Sequence, residues 1–167
     1  MSRPVTDTDA LTATADISEC GLYRYRLTRT WGTEPPMTFV MLNPSTADAE
    51  KDDPTIRRCM GFARREGCGG IVVVNLFALR VTRPVHLFDG SIADDAEGPL
   101  NRSAVWNALC TGYTLVAAWG AHPLADTSSV HLLVKDMPGV LCLGMTADGS
   151  PRHPLYLKSD TPLEVWP

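Results

Sequence analysis

Phe39-Val40-Met41-Leu42-Asn43-Pro44-Ser45-Thr46-Ala47-Asp48, running into Asp52-Asp53-Pro54-Thr55, is the stretch that decides the fold. An apolar run stops at Asn43-Pro44, a polar loop follows, and a helix starts at Asp53. Pro44 has no backbone N–H and drives Asn43 towards an extended conformation, so a strand over Met37 to Leu42 has to end there. Asp53 is a good N-cap, and Pro54 occupies the first helical position, where its missing N–H costs nothing. Polar side chains at the carboxyl end of a buried strand, above the amino end of a helix, mark the edge at which open α/β sheets bind ligands.

Downstream, Ile56, Cys59, Met60, Phe62 and Ala63 supply the apolar face of a helix ending near Gly67. Ile71 to Phe77 is a β-branched run, as expected of a central parallel strand. Leu100 to Leu109 and Ser128 to Lys135 read as helices, Tyr113 to Trp119 and Val140 to Gly144 as strands. Upstream, Tyr23 to Trp31 alternates in the manner of a half-exposed strand, added at the edge. Residues 80–98 are irregular, and a loop of that length in a small domain is often functional. Pro151 to Lys158 is a proline-rich loop leading into a last helical turn. The alternation of strand and helix predicts a three-layer α/β/α sandwich around a central, mostly parallel four-stranded sheet. Residues 1–19, polar and without period, read as a flexible arm before a single domain over 20–167.

Composition narrows the functional classes. A charged fraction of 20% and an apolar fraction of 44% are those of an ordinary globular protein. A net charge of −4 argues against a generally basic nucleic-acid binder. Two basic clusters, Arg24, Arg26 and Arg29, then Arg57, Arg58, Arg64 and Arg65, read as solvated faces with room for a local phosphate contact. The five cysteines form no C-x-x-C pair, which leaves reduced thiols in a cytoplasmic protein as the expectation. No apolar run approaches the roughly 18 residues of a membrane span, and no leader pattern opens the chain. Nucleophile-elbow, P-loop and Rossmann glycine motifs are all missing, and no cofactor is expected.

Parallel strands bring several polar groups to one sheet edge: Asn43, Asn75, Trp119-Gly120-Ala121-His122 and His153-Pro154. Each has a plainer reading beside it. Asn43 would serve equally as an Asx-turn, Asn75 as a tie for a neighbouring loop, and His122 as a surface histidine. Asp48, Asp52 and Asp53 offer an acid/base or metal cluster, though Asp53 already has its work as a helix cap.

Two resemblances meet at these residues. Leu42-Asn43-Pro44-Ser45-Thr46-Ala47-Asp48, Asp53-Pro54-Thr55-Ile56-Arg57-Arg58-Cys59, Val74-Asn75-Leu76-Phe77-Ala78, Ala118-Trp119-Gly120 and Pro151-Arg152-His153-Pro154-Leu155-Tyr156-Leu157 together resemble domain-of-unknown-function family 1643, found in bacteria and phages. The order of motifs is also similar, more distantly, to the uracil-DNA glycosylase superfamily. That resemblance implies that Asn43, in Leu42-Asn43-Pro44-Ser45, positions a hydrolytic water. It implies that Asn75 reads the base, that Trp119-Gly120 ends another site strand, and that His153 stabilises the leaving base. The chain departs from that pattern at Ser45, where those members usually carry Gly, and at Pro154-Leu155-Tyr156, where they carry Pro-Ser-Pro.

The leading expectation is therefore a nucleobase- or nucleotide-handling protein that hydrolyses an N-glycosidic bond, with DNA as the first partner to consider. Asn43, His153 and Asp48 would carry the chemistry. Pro44, Ser45 and Asn75 would contact the base, and Phe77, Trp119 or Tyr156 would stack on it. Arg57, Arg58 and Arg152 would meet phosphates. The alternatives are a catalytically silent base-binding module and a metal-dependent nucleotide hydrolase built on Asp48, Asp52 and Asp53.

Overall fold

Strands β3 (Met37–Met41) and β4 (Gly70–Asn75) are buried along their whole length, as apolar runs in the middle of a parallel sheet should be. They pair in parallel, with Met41 opposite Asn75, so both end at the same level. The computed structural model describes residues 11–167. Within them the chain adds β1 (Thr12–Ile17), β2 (Arg24–Thr30), β5 (Leu115–Ala117), β6 (Leu141–Cys142) and β7 (Glu164–Val165). The helices are α1 (Pro54–Arg65), α2 (Asn101–Leu109) and α3 (Ser129–Lys135).

The sheet is mixed and runs β1-β2-β4-β3-β5-β6-β7. Its middle four strands, β4, β3, β5 and β6, are parallel neighbours. Antiparallel strands extend it on both sides, β2 and β1 beyond β4, and β7 beyond β6. The expected four-stranded sheet is thus corrected to seven strands. Residues 12–17 are corrected too: they form an edge strand rather than part of an arm, and of that arm residues 1–10 lie outside the described residues. β1 has no apolar period to betray it, because its pairing comes from the main chain and from side chains such as Thr14, whose hydroxyl meets that of Thr28 at 2.5 Å. β2 consequently lies between two partners and is mostly buried.

The strand order has a geometric consequence. From β3 the chain crosses one way to β4, then returns past β3 to β5 and continues to β6. Right-handed crossovers then place the first helix on one face and the next two on the other. The packing follows this rule. Ile56, Cys59, Met60, Phe62 and Ala63 of α1 pack with Met37, Phe39, Met41, Ile71 and Val73. Val105, Ala108 and Leu109 of α2 and Val130 and Val134 of α3 pack with Val40, Val72, Val74 and Ala117 on the opposite face. Reversal of winding between β3 and β5 opens a crevice at their carboxyl ends, the switch point at which open sheets bind ligands.

Candidate functional site

A cleft of about 730 Å³ opens at this switch point, a volume in the range of small-molecule sites. It is lined from the β3 end by Met41, Leu42, Asn43, Ser45 and Thr46, and from β4 by Val73 and Asn75. The amino end of α1 contributes Asp53, Pro54, Thr55 and Ile56, and the β5 end Trp119, Gly120 and His122. Arg152, His153 and Tyr156 come from the C-terminal segment, and Arg24 from the start of β2.

Asn43 is held by its amide nitrogen. Its two hydrogens go to the carbonyls of Pro44 at 2.9 Å and Val81 at 2.8 Å. The expected Asx-turn, in which the side-chain oxygen would accept from loop amides, is not formed. With both donors engaged, Oδ1 is the polar atom that Asn43 has left to offer. The Val81 N–H donates to the Pro44 carbonyl at 3.1 Å, so the loops after β3 and β4 are laced together at this point.

Asn75 differs. It is 1% exposed, lines the cleft, and neither its Nδ2 nor its Oδ1 has a hydrogen-bond partner within the protein. The loop tie that Asn75 was expected to make falls to Asn101, at the start of α2, whose amide nitrogen donates to the carbonyls of Asn75 and Leu76.

His153 caps the 3₁₀ turn Pro154–Tyr156, its Nδ1 accepting the Leu155 N–H at 3.2 Å. The neutral ring therefore carries its proton on Nε2. Burial pushes its pKa below the ordinary imidazole value, while the charge of Asp53 opposes that shift. Gly120 lets the β5 end approach: its φ is +77°, and a Cβ there would lie 3.4 Å from that of His153. The Gly120 N–H donates to the Pro151 carbonyl at 2.8 Å, fixing the two segments together.

Tyr156 is 84% exposed at the cleft, its ring centroid 6.0 Å from that of His153. Trp119 is buried, edge-on to Trp166 at 5.0 Å and to His131 at 5.4 Å, so it forms wall rather than an open stacking face. His122 also lines the cleft from the β5 end, and burial lowers its pKa.

Other expected site residues lie elsewhere. Phe77, two residues beyond the end of β4, is buried with its ring edge-on to Phe88 and does not line the cleft. Pro44 is buried and contributes its carbonyl rather than its ring. The Asp48 carboxylate accepts from the N–H groups of Glu50 and Lys51, which hold its pKa low and turn the loop. Asp52 pairs with Arg29 at 2.8 Å, and Asp53 accepts the Ile56 N–H as cap of α1. The three aspartates have three separate tasks, and among the described residues no three His, Cys, Asp or Glu side chains gather to hold a metal. Asp53 is the carboxylate that lines the cleft.

The arginines divide differently from expectation. Arg24 and Arg29 are buried, at 2% and 1% exposure, and are not a solvated face. Arg57 is exposed, whereas Arg58 donates to the Leu157 carbonyl and Arg65 to those of Ser159 and Thr161. Arg57, Arg58 and Arg65 line a separate, smaller depression beside the C-terminal segment, and among the described arginines Arg24 and Arg152 are those that reach the cleft. Arg24 donates through Nη1 to the Ala47 carbonyl at 2.8 Å, while its Nε has no partner. Burial draws its pKa down to about 10, so it remains charged at neutral pH. In sequence, its place between Tyr23 and Tyr25 was the one sign of burial, since a strand flanked by two large apolar rings is not a solvated stretch.

The cleft thus belongs to an α/β protein and opens at the carboxyl edge of its parallel strands. The chain belongs to the family described as protein of unknown function DUF1643, whose sequence profile matches residues 24–155. No curated protein and no solved structure gave a match. Among the described residues no helix is long and apolar enough to cross a membrane.

Proposed function

We propose that the cleft binds a nucleobase on its sugar, in a nucleotide or in DNA, and hydrolyses the N-glycosidic bond. The observation that carries this reading is Asn75. A buried amide on a cleft-lining residue, with neither its donor nor its acceptor used by the protein, is the complement of a base edge presenting an acceptor beside a donor. Burying such a group without a partner costs free energy, and a ligand that pairs with both ends recovers it.

The neighbouring groups fit the chemistry. Asn43 Oδ1 accepts a hydrogen bond from a water and holds it for attack on the anomeric carbon. As that C–O bond forms, the C–N bond breaks and its electron pair leaves with the base. His153 Nε2–H donates to the oxygen of the base on which negative charge develops. The water's proton passes to solvent, and solvent returns one to the released base. Asp53, which unlike Asp48 and Asp52 lines the cleft, eases the proton's departure in this reading. Tyr156 offers its exposed ring for stacking. The finer fold class that suits this reading is an α/β/α sandwich like that of the uracil-DNA glycosylase superfamily, supported by the parallel middle strands with helices on both faces.

The test is base release, followed chromatographically, from nucleotides and oligonucleotides carrying modified or deaminated bases. We expect release by the native protein and a loss of about 100-fold or more in Asn43→Ala and His153→Ala. Binding without release by the native protein would leave the silent binding module. No binding of any base would overturn the proposal.

A further inference from the structure

Arg24 is the least expected charge in the molecule. It lies 2% exposed at the start of β2, lines the cleft, and makes one hydrogen bond, to a main-chain carbonyl. Among the described residues no carboxylate forms an ion pair with it. Buried guanidinium groups are ordinarily paired, because a lone charge in a low-dielectric interior is costly. Arg29, equally buried on the same strand, shows the usual solution: Asp52 pairs with it, and three main-chain carbonyls accept from it. Arg24 has Asp53 near enough to favour its charge, yet that carboxylate is held as the cap of α1.

The rest of the cleft agrees in sign. Its charged lining groups are Arg24, Arg152 and Asp53, while His122 and His153 are both shifted towards the neutral form. The cleft therefore carries an excess of positive charge inside a chain of net charge −4. An anion is the ligand group that matches.

Resting on the nucleobase reading above, we infer that the substrate is a free mononucleotide whose phosphate monoester sits on Arg24 while its base edge is read by Asn75. The two residues belong to neighbouring strands, β2 and β4, and line the same cleft. A polynucleotide would need a different surface. Its phosphates run along the outside of the protein and are met by exposed cations that track the strand. Here Arg58 and Arg65 are tied to the carbonyls of the C-terminal segment, and the chain as a whole repels a polyanion.

Calorimetric titration separates the possibilities, using deoxyuridine and deoxyinosine, their 5′-monophosphates, deoxyribose 5-phosphate, and single-stranded oligonucleotides containing the same bases. We expect a monophosphate to bind about 10- to 100-fold more tightly than its nucleoside, the effect of one charge-assisted contact. Arg24→Gln should remove that ratio and leave nucleoside binding in place, and Arg24→Lys should restore part of it. Equal binding of nucleoside and monophosphate by the native protein overturns the phosphate seat and spares the base reading. Deoxyribose 5-phosphate binding as tightly as the nucleotides overturns the base reading and spares the seat. Oligonucleotides binding more tightly than monophosphates would assign the site to a strand and overturn the free-nucleotide inference. Failure of every ligand overturns both. These comparisons on the native protein decide the matter even where Arg24→Gln does not fold.

Discussion

Replacing Asn75 by Leu should make the protein more stable and unable to bind its ligand. The two side chains have the same number of heavy atoms and branch at the same carbon, so the change exchanges an amide for two methyl groups in nearly the same space. The neighbours along that edge, Met41, Val73 and Ile56, are apolar. An amide buried without partners costs about 1–3 kcal/mol in proteins. The tetrahedral branch of Leu asks for some repacking, which takes back up to about 1 kcal/mol. From the middle of each range the net gain is about 1–2 kcal/mol, which in a chain of this size raises Tm by roughly 2–8 °C. Calorimetric unfolding of the native and variant proteins without ligand measures it, and titration with the nucleotides above measures the loss of binding. Asn75→Ala is the control: it removes the same amide but leaves a void, and should gain less or lose stability. A fall in Tm on Asn75→Leu with ligand affinity intact would refute the reasoning, since Asn75 would then be a structural group already satisfied in the free protein.

Three further outcomes follow from the structure. His153, His122 and His131 are all pushed below the ordinary value of 6.5 by burial, so the unfolded chain binds protons more readily than the folded one. Stability should be level above about pH 6.5 and fall as pH drops below it, towards the folded values, and His153→Gln should flatten part of that slope in a series of melting curves. Asp52→Asn leaves the guanidinium of Arg29, 1% exposed, without its charged partner. About 2 kcal/mol should be lost, a fall of roughly 4–8 °C in Tm, and a variant that melts with the native protein would show the pair to be unimportant. Tyr156→Ala, at a ring 84% exposed, should leave Tm within about 1 °C while weakening nucleotide binding by about tenfold, the size of one stacking contact.

The parts of the fold written most plainly in the sequence are those where local signals coincide. Asp53, Pro54 and the spacing of Ile56, Cys59, Met60 and Phe62 each point to α1, and the helix caps where they say. β3 and β4 are legible because strands buried on both faces leave continuous apolar runs. β1 and β7 leave no such trace, since an exposed edge strand is held by main-chain hydrogen bonds to a partner far away in sequence. The site divides in the same way. Asn43, Asn75 and His153 stand at strand or turn ends, so their meeting follows from a parallel sheet. Arg24 does not, because its burial depends on Ala47 and on a loop folding over β2, contacts without local precedent. Phe77 and Trp119 show a subtler limit: pattern places a residue at a strand end, but neighbouring rings decide whether its face is open.

The polar groups of the cleft are not alike in what the fold asks of them. Both Asn43 hydrogens are engaged by carbonyls, and one His153 nitrogen by a main-chain N–H, so each residue has one polar atom left and that atom cannot swing away. The segments that carry them are laced by main-chain bonds from Val81 to Pro44 and from Gly120 to Pro151. Their orientation is therefore settled during folding rather than at the moment of reaction, which is what a water-holding acceptor and a charge-stabilising donor require. Asn75 and Arg24 are the reverse case, buried on rigid strands but with side-chain donors or acceptors unused. On the proposed function, the groups that would position the chemistry are tied to the protein, and the groups that would recognise the ligand are left to be tied by it. On this division, a change at Asn43 or His153 acts mainly on turnover, whereas a change at Asn75 or Arg24 acts mainly on affinity, and kcat and KM measured separately distinguish the two pairs.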